Sequence, residues 1–220
     1  MSSAESDALI AAAARCGVTL DDSSAAKLLA LLDELARWNR SYNLTAITAR
    51  GEMIVRHLLD SLAVRPWLVG ERIIDVGTGA GFPGLPLAIV EPQRRFTLLD
   101  SNGKKLRFVA HAVRTLGLRN VETLQQRADA HAPELPYDTV LTRAFAPLPE
   151  LVAQVTAMCD ARTHVLAMKG KRSADERALL PAGWRIERDI DLTIPGLDEA
   201  RHLIVLRREP AAATDPGPLR

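Results

Sequence analysis

Cysteine is nearly absent: Cys16 and Cys159 are the only two in 220 residues, and they stand in no metal-ligand spacing. Such a pair reads as two buried thiols in a reducing compartment and offers no cysteine-built metal site. Aromatic residues make up only 4% of a chain that is 47% hydrophobic, so the expected core is large and aliphatic. Charge of one sign is missing too. A net charge of +1 excludes a globally basic protein, and a nucleic-acid partner would have to be met by local patches. No apolar run is long enough to span a bilayer, and the opening Met-Ser-Ser-Ala-Glu-Ser-Asp lacks the basic start of a secretory signal. These absences predict a cytoplasmic protein with no membrane partner. No internal repeat is visible, and the length suits one domain with an appendage.

What the chain does have is a glycine loop. Ile73-Ile74-Asp75-Val76 is an apolar run, Gly77-Thr78-Gly79-Ala80-Gly81-Phe82-Pro83-Gly84 follows it, and a second apolar stretch runs from Leu85 to Val90. Strand, glycine-rich turn and helix in that order place bare backbone at the carboxyl end of a parallel strand, where open α/β sheets bind ligands. The loop satisfies G-x-G-x-x-G, a weak sign of a dinucleotide by itself. Asp75 argues otherwise. A carboxylate at the mouth of the loop would meet a pyrophosphate badly, whereas the ammonium and sulfonium of S-adenosylmethionine (SAM) would suit it. The alternative is an Asp75 that only caps the following helix. Arg95 to Asp100 reads as the next strand, and Asp100 falls about 20 residues after the loop, where ribose hydroxyls are held; NAD and SAM both carry one. Asp100 could equally cap the helix that begins near Gly103. A third strand, Val121 to Leu124, leads to Arg127-Ala128-Asp129, whose acid or backbone could pair with an adenine amino group.

The periodicity predicts strands at 72–76, 95–100, 121–125, 138–142 and 163–168, with helices at 84–90, 103–117, 148–158 and 173–180. Such alternation indicates a mostly parallel sheet covered on both faces. Two final strands, Trp184 to Leu192 and His202 to Leu206, turn at Ile194-Pro195-Gly196 and form a terminal antiparallel pair. The expected architecture is α/β, a Rossmann-like class I SAM-dependent methyltransferase fold with a seven-stranded sheet. It divides into an N-terminal helical appendage (1–70), a SAM-binding domain (71–208) and a disordered tail (209–220). Within the appendage, Ala25, Leu28, Leu29, Leu32, Leu35 and Ala36 mark one helix after caps at Asp21 to Ser24. Ile54, Leu58, Leu62 and Val64 mark another.

Reaction class is narrowed by missing devices. After the fourth strand the chain reads Thr142-Arg143-Ala144-Phe145-Ala146-Pro147 instead of the Asn/Asp-Pro-Pro-Tyr/Phe element that holds an exocyclic amine. Pyrimidine C5 methylation needs a cysteine nucleophile, and Cys159 is placed in the core. No His/Asp/Glu cluster suggests a catechol-type metal site. No residue is assigned as a catalytic acid or base. Lys169, Lys171 and Arg172 form a basic run at the ligand edge of the sheet and are candidates for RNA phosphates. Lys104, Lys105 and Arg107 read as a solvated face. Trp38 is expected to pack, Asn39 and Asn43 are candidate substrate contacts, and His57 is expected to form a structural pair with Asp60 and Ser61. The residues alone leave open a methyltransferase acting on RNA, a small molecule or a protein, a nicotinamide-dependent oxidoreductase, and a SAM-sensing module without catalysis.

Seven blocks, in this order, carry a resemblance: Trp38-Asn39-Arg40-Ser41-Tyr42-Asn43-Leu44-Thr45, His57-Leu58-Leu59-Asp60-Ser61, Ile74 to Gly84, Leu99-Asp100-Ser101, Thr142-Arg143-Ala144-Phe145-Ala146, Lys169-Gly170 and Arg201-His202-Leu203. From about Leu28 to Arg207 the chain resembles the RsmG (GidB) family of bacterial 16S rRNA guanine-N7 methyltransferases. The resemblance implies SAM as cofactor and N7 of a guanosine in the 530 loop of 16S rRNA as target. It also implies a substrate presented in the small ribosomal subunit or an assembly intermediate, and a monomeric enzyme. It implies SAM contacts at Gly77, Phe82, Ala128, Asp129 and Arg143; Gly79 and Asp100 join them by position. Relatives often have Glu where this chain has Asp129, so the contact there is through either side chain or backbone.

Overall fold

The computed structural model describes residues 3–170 and 178–209. Two helices open the chain: α1 (Ser3–Arg15) and α2 (Asp22–Tyr42). Asp21 caps α2 by accepting the Ser24 N–H at 2.7 Å, and Asn43 ends it in the left-handed region at φ 48°. The buried face of α2 presents Leu28, Leu29, Leu31, Leu32 and Leu35, all fully shielded. Each such leucine stabilises the packed state by about 1.5–3 kcal/mol.

The amphipathic helix expected near 54–64 is present but interrupted. It runs as α3 (Arg50–Met53), a π-helical stretch (Ile54–Leu59) and α4 (Asp60–Leu62), with the Asp60 N–H reaching back five residues to the Val55 carbonyl. Alternating strands and helices follow: β1 (Arg72–Val76), α5 (Gly84–Val90), β2 (Arg95–Asp100), α6 (Gly103–Thr115), β3 (Val121–Gln125), β4 (Thr139–Arg143), α7 (Leu148–Val155) and β5 (His164–Lys169). The chain closes with β6 (Trp184–Leu192) and β7 (Arg201–Arg208). The helix expected at 173–180 lies mostly outside the described residues, as does the tail from 210 onward.

The seven strands form one sheet in the order β3-β2-β1-β4-β5-β7-β6. All pairings are parallel except those of β7, which runs antiparallel to both β5 and β6. The chain leaves β1 in one direction towards β2 and β3, then returns to β1's other side with β4. That reversal makes the carboxyl ends of β1 and β4 the switch point of the sheet.

Strand alternation divides the core between two faces. Ile73, Phe96, Leu98, Leu141 and Leu166 face a cluster shared with α1, α2, α5 and α6. Ile74, Val76, Leu99, Val140 and Val165 face a second cluster built on α7. As composition predicted, the core is aliphatic, with Phe96 and Phe108 its largest fully buried rings. Cys159 is buried and its thiol is pushed up to about 12 by desolvation; Cys16 is only half-buried, short of the full burial expected. Among the described residues, no helix is long and apolar enough to cross a membrane.

Candidate active site

The glycine loop grows directly out of β1. Gly77 and Thr78 both donate to the Leu99 carbonyl on β2, at 2.9 and 3.0 Å, so the loop starts as an extension of strand pairing. Gly77 and Gly79 take φ of 70° and 60°, which only glycine adopts without strain. At Gly79 a Cβ would meet nothing nearer than the Gly77 carbonyl and the Lys105 ammonium, both at 3.9 Å. The backbone there is an open cradle. At Gly77 the space is taken by the ring of Phe145.

Asp75 does not line the mouth of this loop. It is fully buried, with one carboxylate oxygen accepting from the Thr78 hydroxyl at 2.7 Å and from the Gly84 N–H at 2.9 Å. The reading of Asp75 as a partner for a cationic ligand is therefore corrected. The period of two along β1 turns its side chain to the same face as Ile73, beneath α5. It ties the first turn of the loop to the first turn of the helix, the capping role that was the alternative. Burial pushes its carboxyl up to about 6.

Asp100 holds the loop from the neighbouring strand. Its two oxygens accept the Gly79 N–H at 2.8 Å and the Asn102 N–H at 2.7 Å. The cap of α6 is Asn102, which accepts from Lys104 and Lys105; Asp100 does not cap that helix. Beyond β3, Ala128 is buried in the same cluster as Val76 and Leu99, at the start of a short 3₁₀ turn. The Asp129 side chain turns outward into a two-point ion pair with Arg127, at 3.0 and 2.6 Å, which lowers its carboxyl below the ordinary range.

Phe82 is buried and stacked on His57, ring centroids 4.7 Å apart, with the Arg143 guanidinium 5.8 Å from its centroid. His57 does not pair with Asp60 as helical spacing suggested, but its carbonyl does accept the Ser61 hydroxyl. Its Nε2 lies 3.1 Å from the Thr45 hydroxyl, and burial, then the nearby Arg143, holds its ring down to about 4. Asp60 serves the arginines instead. It takes Arg143 at 3.2 Å and Arg201 at 3.4 Å, while Arg143 also donates to the Arg56 carbonyl at 3.0 Å. These residues and Lys169 line a cleft of about 410 Å³. The Lys169 ammonium donates to the Ala146 carbonyl at 2.7 Å. Lys171 and Arg172 lie outside the described residues. Asn39 turns its amide onto both backbone groups of Thr45 at 2.9 Å, and Asn43 lines a pocket with it. Trp38 packs as expected, against Tyr42 and Phe108.

The model of the GidB family, described as rRNA small subunit methyltransferase G, matches residues 24–204. The chain belongs to this family. A ribosomal RNA small subunit methyltransferase G from Marinobacter nauticus is 47% identical over 195 residues, covering 89% of this chain and 91% of that one. The protein of the same name from Escherichia coli is 44% identical over 191 residues, covering 87% and 92%. Among solved structures, the magnesium protoporphyrin IX methyltransferase of Synechocystis, with bound SAM, superposes with a TM-score of 0.56 at 20% identity, covering 86% of this chain and 99% of that one. TrmN from Thermus thermophilus superposes at 0.54 and 20% identity, covering 70% and 53%. These two establish the class I methyltransferase fold alone.

The clamp of Asp60 on Arg143 and Arg201, and the stack of His57 on Phe82, escaped the reading of the sequence. Their residues all sit in the blocks that carry the family resemblance, yet nothing in their spacing announces which of them meet.

Proposed function

We propose that this chain is a cytoplasmic, monomeric enzyme that methylates N7 of one guanosine in the 530 loop of 16S rRNA, within the small subunit or an assembly intermediate. Family membership over nearly the whole chain makes it an rRNA methyltransferase that uses SAM. The observation that carries the reading at the site is the open glycine backbone at Gly79 with Asp100 behind it. The cradle fits SAM: bare backbone is there for the cofactor to lie on, and Asp100 retains acceptor lone pairs for a ribose. Gly77, Gly79 and Phe82 would hold it from the loop, Asp100 from β2, the Ala128–Asp129 backbone from β3, and Arg143 from β4. Asp129's side chain is committed to Arg127, which favours its backbone as the contact.

Bound there, SAM supplies an electrophilic methyl group. Guanine N7 accepts it with an in-plane lone pair, so no proton has to be removed first. The chain's task reduces to holding two partners in line, and alignment alone reaches effective molarities of about 10⁵ M or more. His57, stacked on Phe82 of the loop, has its Nε2 engaged with the Thr45 hydroxyl. Lys169, Lys171 and Arg172 would meet phosphates.

Borohydride–aniline cleavage of small-subunit RNA from cells with and without the gene tests this directly, because N7 methylation labilises the glycosidic bond. One cut present only in the parent strain is expected. Identical patterns would sink the rRNA assignment.

A further inference from the structure

The segment after β4 has a shape that cofactor binding does not explain. It is pinned at both ends: Arg143 by the Arg56 carbonyl and Asp60, and the Ala146 carbonyl by the Lys169 ammonium. Between the pins, Ala144 sits at φ 50°, in the left-handed region that a residue with a Cβ avoids. Such a conformation persists only where the surroundings enforce it, and it clusters at functional sites. Its consequence is to lay the half-buried ring of Phe145 over the Gly77 backbone, so close that a Cβ at Gly77 would overlap the ring. Among the described residues no other aromatic ring stacks on Phe145. On one side of it is the glycine loop at the sheet's switch point. The ring also packs against the second core cluster, and the cleft lined by Arg143, Lys169 and Arg201 begins at the preceding residue, Ala144.

An aromatic ring set against a cofactor cradle, one residue along the chain from a cationic cleft, has the chemistry of a nucleobase platform. RNA bases taken out of a stack are held on aromatic faces, while cations meet the flanking phosphates. N7 attack makes this a matter of rate, because with no proton to move the orientation of the purine plane is what the site has to control. We propose that Phe145 is the residue on which the target guanine stacks during methyl transfer. This rests on the reading of the chain as an N7 methyltransferase of small-subunit RNA.

The test is methyl transfer to small subunits purified from a strain lacking the gene, comparing the wild type with Phe145→Ala, Phe145→Leu and Phe145→Tyr. Wild-type activity comes first: its absence condemns the functional reading, not the platform. Given activity, loss of the ring should reduce kcat/KM by about ten- to a hundredfold, the effect of removing one base–aromatic stack. The alanine and leucine variants should both show this loss, the tyrosine variant should recover to within about threefold, and SAM affinity by calorimetry should stay within about twofold throughout. Leucine keeps apolar bulk without a flat face, so it decides the matter if alanine fails to fold. Wild-type rates in the leucine variant would overturn the proposal. So would a loss of SAM affinity equal to the loss of activity, since the ring would then be a wall for the cofactor.

Discussion

His57, stacked on Phe82 of the glycine loop, and Asp75, just before that loop, are both buried, and they should pull the pH dependence of stability in opposite directions. The ring of His57 is held down to about 4, against an ordinary value of about 6.5. The unfolded chain therefore takes up this proton first, and acidification from about 6.5 towards 4 destabilises the fold. The Asp75 carboxyl is pushed up to about 6, against an ordinary value of about 3.9. Here the folded chain takes up the proton first, so stability withheld at neutral pH returns as pH falls from about 6 towards 4. At pH 4.5 linkage gives roughly 2–3 kcal/mol lost through His57 and roughly 2 kcal/mol recovered through Asp75. In the wild type the two nearly cancel. Asp75→Asn removes one of them while leaving a carbonyl oxygen for Thr78 and Gly84. Urea unfolding of wild type and variant at pH 7 and pH 4.5 reads the difference. The variant should lose about 2 kcal/mol relative to wild type on going to the lower pH, and His57→Gln should gain a similar amount. The comparison cancels every other titrating group. In either comparison, a wild-type-minus-variant difference that stays constant within about 0.5 kcal/mol would refute the shift assigned to that residue.

Gly79→Val should fold, since no neighbour stands closer than 3.9 Å to the new Cβ, at a cost of about 1–2 kcal/mol for the left-handed backbone; calorimetry should find SAM binding gone, and retained affinity would move the cofactor elsewhere. Asp100→Ala frees the Gly79 and Asn102 N–H groups and should weaken SAM binding by about 1–3 kcal/mol, with unchanged affinity contradicting the ribose assignment. Replacing Lys169, Lys171 and Arg172 together with Ala should lower RNA affinity and flatten its dependence on salt, leaving SAM affinity intact; an unaltered salt slope would remove the phosphate role.

The strands were legible because apolar runs and glycine or proline punctuation mark them: β1, β2, β3 and β6 have the bounds expected, and β4 and β5 begin and end one residue later. The glycine loop was legible for the same reason. Orientation was harder. Asp75 reads as a ligand contact if one counts residues to the loop, and as a buried cap only once α5 is known to cover that face. The π-helical stretch at 54–59 has no signature in hydrophobic spacing, and it resets which way His57 and Asp60 point. Asp60 and Arg201 are far apart in the chain and meet only because β7 enters the sheet beside β5. Asn39 carries the side chain of a substrate contact, but a loop closing at Thr45 uses the same amide.

The place of β7 bears on the order in which this protein can be assembled. Of the described strands it is the last to be synthesised, yet it occupies an interior position, between β5 and β6. Until it arrives, β5 presents an unpaired edge and β6 has no neighbour in the sheet, and open edges invite pairing with other chains. Arg201, which completes the clamp on Asp60, travels at the head of that same strand. The seven-stranded order and the Asp60 clamp are therefore completed by the same strand, and a chain stopped short of it would have neither complete.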